Sequence, residues 1–208
     1  MTPRISVLTP SIRPQFLDIT QQCLENQTFK DFEWLVEVDL RNQGFLLPRA
    51  MNRMLKRAQG KLVVILQDCI SIPPEFLDYV NNSCDLISFK TFPVSKDGVF
   101  DWRMAGSRPI EPQEWEADLA VAPLKAFFDI GGYDESFCSG WSWENVEVAY
   151  RAKVAGYKFF CDRELWGTGI DHDKQVDHPF RNELKSNALK AETIRKMAEE
   201  GDYKLTYL

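Results

Sequence analysis

The strongest constraint on the fold is an uninterrupted apolar run in the middle of the chain, Leu62–Leu66. Lys61 precedes this run, and the polar pair Gln67-Asp68 follows it. A strand that is apolar on both of its faces is typical of parallel sheets, because helices cover such sheets on both sides. The sequence therefore predicts an α/β protein in which this strand lies inside the sheet.

Strand and helix patterns alternate around this run, and short connections join them, as in α/β folds. The predicted elements are strand 5–8, helix 14–27, strand 32–38, helix 48–58, strand 61–66, helix 73–80, strand 85–89, strand 119–122, helix 123–130, helix 143–155 and strand 158–161. Residues 92–118 read as a hairpin, turning at Asp97-Gly98, followed by an irregular loop. We predict one domain over residues 1–178 and a helical extension over 179–208 packed on it.

Composition excludes several classes of protein. A hydrophobic content of 44% supports a folded core, and a net charge of −6 argues against a nucleic-acid partner. The five cysteines are scattered without a CxxC pair, which indicates reduced thiols. No apolar run is long enough to span a membrane and no signal peptide is visible, so the expected location is the cytoplasm. The oligomeric state is left open.

Ligands of open α/β sheets bind beyond the carboxyl ends of the strands. The predicted ends here are Thr9-Pro10, Asp39, Gln67-Asp68 and the segment around Ala122. Several arginines follow the first two ends: Arg13, Arg41, Arg49 and Arg53. Carboxylates that accept base N–H groups and arginines that pair with phosphate suit a nucleotide. Neither a P-loop nor a GxGxxG fingerprint follows the first strand, which disfavours P-loop NTPases and NAD-dependent dehydrogenases.

Five segments together resemble one family: ISVLTPSIRP, LVEVD, LPRAMNRMLKRAQGKLVVILQD, IPPEFL and GGYDESFCSGWSWENVEVAYRAKVAGY. Over residues 4–165 they are similar to GT-A glycosyltransferases of the family-2 type. The last segment is similar to the GGFDE…GWGxED segment of the galactosyltransferase-like members. The resemblance implies a mixed, mostly parallel sheet flanked by helices. It also implies inverting transfer from a nucleotide-sugar donor, usually a UDP-sugar, to a saccharide or lipid-linked acceptor, as in polysaccharide biosynthesis.

The resemblance also implies a donor site with a divalent cation, Mn²⁺ or Mg²⁺. Its expected residues are Thr9, Pro10, Arg13, Asp39, Arg49, Asn52, Gln67 and Asp68. Asp39 would hold the base, and Arg13 and Arg49 the nucleotide or its diphosphate. The family's DxD metal motif is replaced here by Gln67-Asp68-Cys69, which leaves Asp68 as the only hard ligand in the turn. His172 is the expected second ligand.

An inverting transferase needs a base that takes the proton of the acceptor hydroxyl. Family members carry Glu-Asp at this place, and this chain carries Glu144-Asn145. Either Glu144 takes over, or Glu147 or a nearby aspartate such as Asp134 or Asp118 does. In a third interpretation, Asn145 only positions the acceptor and the enzyme has low activity. Two flanking tryptophans, Trp141 and Trp143, are expected to stack on an acceptor sugar.

Two other functions compete with a glycosyltransferase. In the first, the departures from DxD and Glu-Asp have removed turnover and left a nucleotide-sugar binding protein of the same fold. In the second, less favoured, the chain is a nucleotidyltransferase, which shares the nucleotide-binding layout but needs two acidic metal ligands.

Overall fold

The computed structural model describes residues 2–38, 47–96, 99–100, 107–139, 143–169, 190–193, 195–196, 199–201 and 204–208. Its strands are β1 Ile5–Ser11, β2 Phe32–Val38, β3 Leu62–Leu66, β4 Ile70–Ser71, β5 Ser88–Thr91, β6 Val94–Lys96, β7 Val99–Phe100, β8 Arg108–Pro109, β9 Leu119–Pro123, β10 Lys158–Cys161 and β11 Gly167–Gly169. Its α-helices are α1 Leu17–Glu25, α2 Leu47–Arg57, α3 Phe76–Ser83, α4 Leu124–Ile130 and α5 Glu144–Val154. Short 3-10 helices cover Pro14–Phe16, Pro112–Glu114 and Glu135–Ser139.

The main sheet has seven strands in the order β2-β1-β3-β9-β5-β10-β8. Strand β1 is parallel to β2 and β3, and β10 is parallel to β5. Strand β9 runs antiparallel to both of its neighbours, as β8 does to β10. A second sheet has the order β4-β11-β6-β7. The predicted fold class, a mixed and mostly parallel sheet flanked by helices, is confirmed.

Strand β3 shows why the apolar run is continuous. Val63 and Ile65 belong to the core cluster on one face of the sheet, together with residues of α2, α4 and α5. The alternate residues Leu62, Val64 and Leu66 belong to the cluster on the other face, with residues of α1 and α3. Both faces are therefore shielded from water, as two-sided helical cover requires.

Several element boundaries differ from the predictions. The helix expected over 14–27 begins as the 3-10 turn Pro14–Phe16 and is α-helical only over Leu17–Glu25. The helix expected over 73–80 starts later, at Phe76, after a turn in which the Phe76 N–H donates to the Pro73 carbonyl at 3.1 Å. The strand expected over 85–89 is Ser88–Thr91.

The hairpin expected in the middle of the chain is present, with β6 and β7 paired antiparallel. Its predicted turn, Asp97-Gly98, lies outside the described residues. The expectation that the segment around Ala122 ends at the ligand-binding edge is wrong. Because β9 is antiparallel to β3, Ala122 pairs with Val63, and Asp118, just before β9, lies beside Gln67 instead.

The last residues of the chain contact the end of α4. The Leu205 N–H donates to the Ile130 carbonyl at 2.9 Å, and the Tyr207 N–H donates to the Gly131 carbonyl at 3.1 Å. Gly131 has a φ of +77°, and a Cβ there would lie 1.7 Å from the Leu205 carbonyl oxygen. Only glycine therefore fits this helix end. The division of the chain at residue 178 stays a prediction.

A buried ion pair fixes α5 to this same turn. The Arg151 guanidinium is fully buried and binds the Glu147 carboxylate one helical turn earlier. It also donates to the carbonyls of Ile130 and Gly132, each at 2.6 Å. One side chain thus joins α5 to the end of α4.

We expect Arg151→Met to lower the free energy of unfolding by about 3–5 kcal/mol, because it leaves the Glu147 carboxylate buried without its partner. Urea denaturation measures this loss. Lys153→Met, two residues further and exposed, is the matched control and should change stability by less than about 0.5 kcal/mol. A loss below about 1 kcal/mol for Arg151→Met would show that the pair does not anchor the helix.

Candidate donor and acceptor site

A cleft opens where β1, β2 and β3 end, and we call it the strand-end cleft. It is lined by Pro10, Ser11, Ile12, Arg13, Glu37, Leu47, Ala50, Arg53, Gln67 and Asp68. Four of these residues were expected at the donor site: Pro10, Arg13, Gln67 and Asp68. The parallel register of β1 with its neighbours brings them together, since their carboxyl ends reach the same edge.

Asp68 lies at the base of this cleft and is bound on both carboxylate oxygens. The Ser11 hydroxyl donates to Oδ2 at 2.7 Å, and Arg13 Nη2 donates to Oδ1 at 2.6 Å. Ser11 Oγ also accepts the Arg13 backbone N–H at 3.0 Å. The Asp68 side chain is only 2% exposed, whereas that of Arg13 is 21% exposed. The arginine is therefore the member of this group that an incoming ligand meets.

A second charged group forms another part of the cleft. Glu37 accepts from Arg53 at 3.0 Å and from Arg57 at 2.9 Å. Sequence reasoning missed Glu37, although alternation along strand 32–38 could have assigned it to a face. It also missed Ser11, because the predicted first strand stopped at residue 8 and β1 continues to Ser11.

Three other expected donor residues have different roles in the structure. The Thr9 side chain is fully buried and accepts a hydrogen bond from Trp34 Nε1 at 2.9 Å. Asn52 is buried and hydrogen-bonds Tyr133, donating to its carbonyl and accepting from its N–H. Arg49 pairs with Glu135 at 3.2 Å and does not line the cleft. The expectation that Thr9 and Asn52 contact the donor is not supported, because their polar side-chain groups already bind other residues.

Three further expected residues lie outside the described residues: Asp39 of the donor site, Trp141 of the acceptor site and the metal ligand His172. Nothing in the structure bears on their roles.

The described residues do not fit a divalent cation. Mg²⁺ and Mn²⁺ need several hard oxygen ligands, and both oxygens of Asp68 already bind Ser11 and Arg13. Burial raises the pKa of the neighbouring Cys69 thiol, which keeps it protonated and a poor ligand. Across the described ranges, no three Asp, Glu, His or Cys side chains group as a metal site. Asp68 therefore does not act as an open metal ligand in this arrangement.

Glu144, the first residue of α5, is a buried carboxylate. It is 6% exposed, and burial raises its pKa to about 7, with the nearby charges of Asp118 and Glu116 adding to the shift. Asp118 in turn accepts a hydrogen bond from Gln67 Nε2 at 2.7 Å, and Gln67 lines the cleft. Glu144 thus interacts electrostatically with Asp118, which is hydrogen-bonded to Gln67 of the cleft. Its pKa is suited to proton transfer near neutral pH.

The residues beside Glu144 separate into two roles. Trp143, the residue before α5, is 36% exposed and has a φ of +76°, a strained conformation for a bulky side chain. Asn145 is half-buried and accepts from the Tyr133 hydroxyl at 3.4 Å. Glu147 is fully buried and bound to Arg151, so its carboxylate is not available to an acceptor. The alternative that Glu147 is the base is therefore not supported.

Asp134, another alternative, accepts a hydrogen bond from the Ser136 N–H at 2.8 Å.

The sheet order and the helices on both faces of the sheet give the mixed α/β fold that the resemblance implied. The structure is similar to S. aureus TarS 1-349 in complex with UDP, with a TM-score of 0.64 and 13% identity over 81% of this chain and 60% of that one. It is equally similar to the complex of TarS 1-349 with UDP-GlcNAc, with a TM-score of 0.64 and 12% identity over 83% of this chain and 60% of that one.

A curated relative is similar in sequence over a shorter stretch of the chain. The chain is 36% identical over 69 residues to validoxylamine A glucosyltransferase from two subspecies of Streptomyces hygroscopicus, jinggangensis and limoneus. The match covers 33% of this chain and only 16% and 15% of the two relatives. No protein-family model matches. Among the described residues, no helix combines the length and the apolar character needed to cross a membrane.

The raised pKa of Glu144 predicts a pH-dependent effect of Glu144→Gln on stability. Between pH 4.5 and about 7 the folded protein binds the extra proton, so wild-type stability falls as pH rises through this window. A neutral amide avoids that loss. We expect Glu144→Gln to be more stable than wild type by up to about 3 kcal/mol at pH 8, and by less than about 1 kcal/mol at pH 5.

Urea denaturation at both pH values measures this difference. Glu164→Gln, at an exposed glutamate, is the control and should show no such pH dependence. Equal stability of wild type and Glu144→Gln at pH 8 would mean that Glu144 is solvated.

Proposed function

We propose that the protein is a glycosyltransferase that moves a sugar from a UDP-sugar to an acceptor hydroxyl with inversion at the anomeric carbon. The observation that carries this proposal is Glu144, a buried carboxylate whose pKa is raised to about 7 and which interacts electrostatically with Asp118, the partner of Gln67 in the strand-end cleft. The complexes of TarS with UDP and with UDP-GlcNAc support the choice of donor. The glucosyltransferase relative supports the type of reaction.

The lining of the strand-end cleft suits a nucleoside diphosphate. Ile12, Leu47 and Ala50 provide apolar surface for a base and ribose. Arg13 and Arg53 provide guanidinium groups, whose planar donors match phosphate oxygens. Asp39, expected to hold the base, remains part of the proposal on the sequence alone.

Glu144 acts as the general base in the proposed reaction. Its carboxylate removes the proton of the acceptor hydroxyl as that oxygen forms a bond to the anomeric carbon. The bond from this carbon to the diphosphate oxygen breaks on the opposite face, and its electron pair leaves with UDP. Because the acceptor oxygen attacks the face opposite to the leaving diphosphate, the configuration at this carbon inverts.

Trp143 and Asn145 are proposed to position the acceptor. The exposed Trp143 ring offers a flat apolar face of the kind that stacks on a sugar, and its strained backbone holds it next to Glu144. Asn145 has an amide that can hydrogen-bond an acceptor hydroxyl but cannot accept its proton. These features favour a saccharide acceptor.

A nucleotide-sugar binding protein without turnover is the second candidate. Asn145 favours it, because the resembled family places its usual base at that position. The nucleotidyltransferase interpretation is weaker, since the described residues contain no group of three or more His, Cys, Asp or Glu side chains that could hold a metal ion.

UDP should stabilise the folded protein, because a ligand that binds only the native state raises stability by mass action. At 100 times its dissociation constant, UDP would add about 2.7 kcal/mol and raise Tm by several degrees. Differential scanning fluorimetry against UDP, GDP, CDP and ADP, with uridine as the control, measures this. If no nucleoside diphosphate shifts Tm at millimolar concentration, the cleft is not a donor site.

Loss of the base should slow transfer without loss of the donor. We expect Glu144→Gln to bind UDP like wild type and to transfer sugar about 10²–10⁴-fold more slowly. The wild-type rate should rise with pH to a plateau above about pH 7, as Glu144 ionises, and the variant should lack this rise.

Sugar transfer to a panel of saccharides, followed by UDP release, provides the measurement. Asn145→Asp, which restores the family's acidic pair, should leave the rate unchanged or raise it, and Glu164→Gln is the control. A wild-type rate in Glu144→Gln would remove the proposed base, and no transfer by wild type from any UDP-sugar would favour the binding protein.

A further inference from the structure

We propose that Arg13, instead of a divalent cation, provides the positive charge that binds the donor diphosphate. This inference rests on the proposed function, since it assigns the diphosphate subsite of the same cleft. The observation behind it is the closed group of Ser11, Arg13 and Asp68 at the base of the strand-end cleft.

Both carboxylate oxygens of Asp68 already accept hydrogen bonds, so neither is free to coordinate Mg²⁺ or Mn²⁺. A metal ion bound to Oδ1 would have to displace the guanidinium that lies 2.6 Å from it, and one bound to Oδ2 would have to displace the Ser11 hydroxyl. The residues beside Asp68 do not help, because Gln67 binds Asp118 and Cys69 is a buried thiol. The guanidinium already neutralises the only carboxylate in this turn.

Arg13 is held in place yet retains hydrogen-bonding capacity. Asp68 and the stacked Phe16 ring, 5.9 Å from the guanidinium carbon, restrict its side chain. Arginine has five N–H donors, and Arg13 Nε is buried without a hydrogen-bond partner in the described part of the chain. A buried N–H without an acceptor is unfavourable, so an anionic oxygen that reached it would be stabilised. Such a preorganised guanidinium is suited to phosphate.

The neighbouring part of the cleft adds positive charge. Arg53 and Arg57 share the single carboxylate of Glu37, so this group carries one positive charge in excess. A diphosphate bound between Arg13 and Arg53 would therefore meet positive charge from two sides.

A fixed guanidinium also serves the reaction. Negative charge grows on the diphosphate oxygen as its bond to the sugar breaks, and a preorganised positive group stabilises that charge without further rearrangement. Arg13 does this without transferring a proton. Asp68 then acts as a positioning residue that orients Arg13.

Isothermal titration of UDP into the protein tests the inference, once with EDTA and once with Mn²⁺. We expect wild-type affinities for UDP that agree within about 3-fold in the two conditions. Arg13→Gln should weaken UDP binding by about 10- to 100-fold in both, the range of one lost charge-assisted contact. Uridine affinity should not change, because uridine lacks the diphosphate.

Two further variants keep the test independent of folding. Arg13→Lys retains a charge beside Asp68 but not the planar donors, so it should fold and bind UDP with intermediate affinity. Asp68→Asn should still bind UDP in EDTA, with a modest loss. Arg108→Gln, which removes a guanidinium paired with Glu114 at 2.5 Å on edge strand β8, is the matched control and should leave UDP affinity unchanged.

The outcomes separate the two proposals. Wild-type UDP binding that requires Mn²⁺ and is lost in both EDTA and Asp68→Asn would overturn the inference and leave the glycosyltransferase proposal standing. Unchanged UDP affinity in Arg13→Gln would overturn it as well. No binding of UDP in either condition would overturn both.

Discussion

The two-sided burial of β3 is the constraint on which the rest of the structure depends. Its five apolar side chains alternate between two core clusters, so both faces of the sheet must carry helices. This arrangement fixes where β3 ends, and the first polar residues after it, Gln67 and Asp68, emerge at one edge beside the ends of β1 and β2. The position of the cleft is therefore a consequence of core packing.

The features that the sequence could predict are those set by local pattern. Apolar runs and periodicity located β3, α2 and α5, and the strand-end rule placed Arg13 and Asp68 in one cleft. The direction of β9 was missed, because apolar residues do not encode whether a strand is parallel or antiparallel. That direction decides that Asp118, not Ala122, lies at the ligand edge.

Side-chain partners were the least predictable feature of the site. Thr9, Asn52 and Glu147 have the residue types that a donor or catalytic site needs, yet each is bound inside the protein. Trp34 and Tyr133, the partners of Thr9 and Asn52, lie outside the elements of those residues, and Arg151, the partner of Glu147, also binds the carbonyls at the end of α4. Whether a polar group faces a ligand or the core depends on such tertiary contacts, and spacing along the chain does not contain them.

Two acidic side chains, Asp68 and Glu144, have different surroundings and are therefore suited to different chemical roles. Asp68 is buried with a guanidinium and a hydroxyl on its oxygens, so its charge is used to hold Arg13. Glu144 is also buried, and the loss of hydration raises its pKa to about 7. The first arrangement favours a fixed charge for binding, and the second favours a group that gains and loses a proton near neutral pH. The proposal thereby assigns binding and proton transfer to different carboxylates. The free energy lost by burying the Glu144 charge is the reason why its amide variant should be more stable, and the loss of the base is the reason why that variant should transfer sugar more slowly.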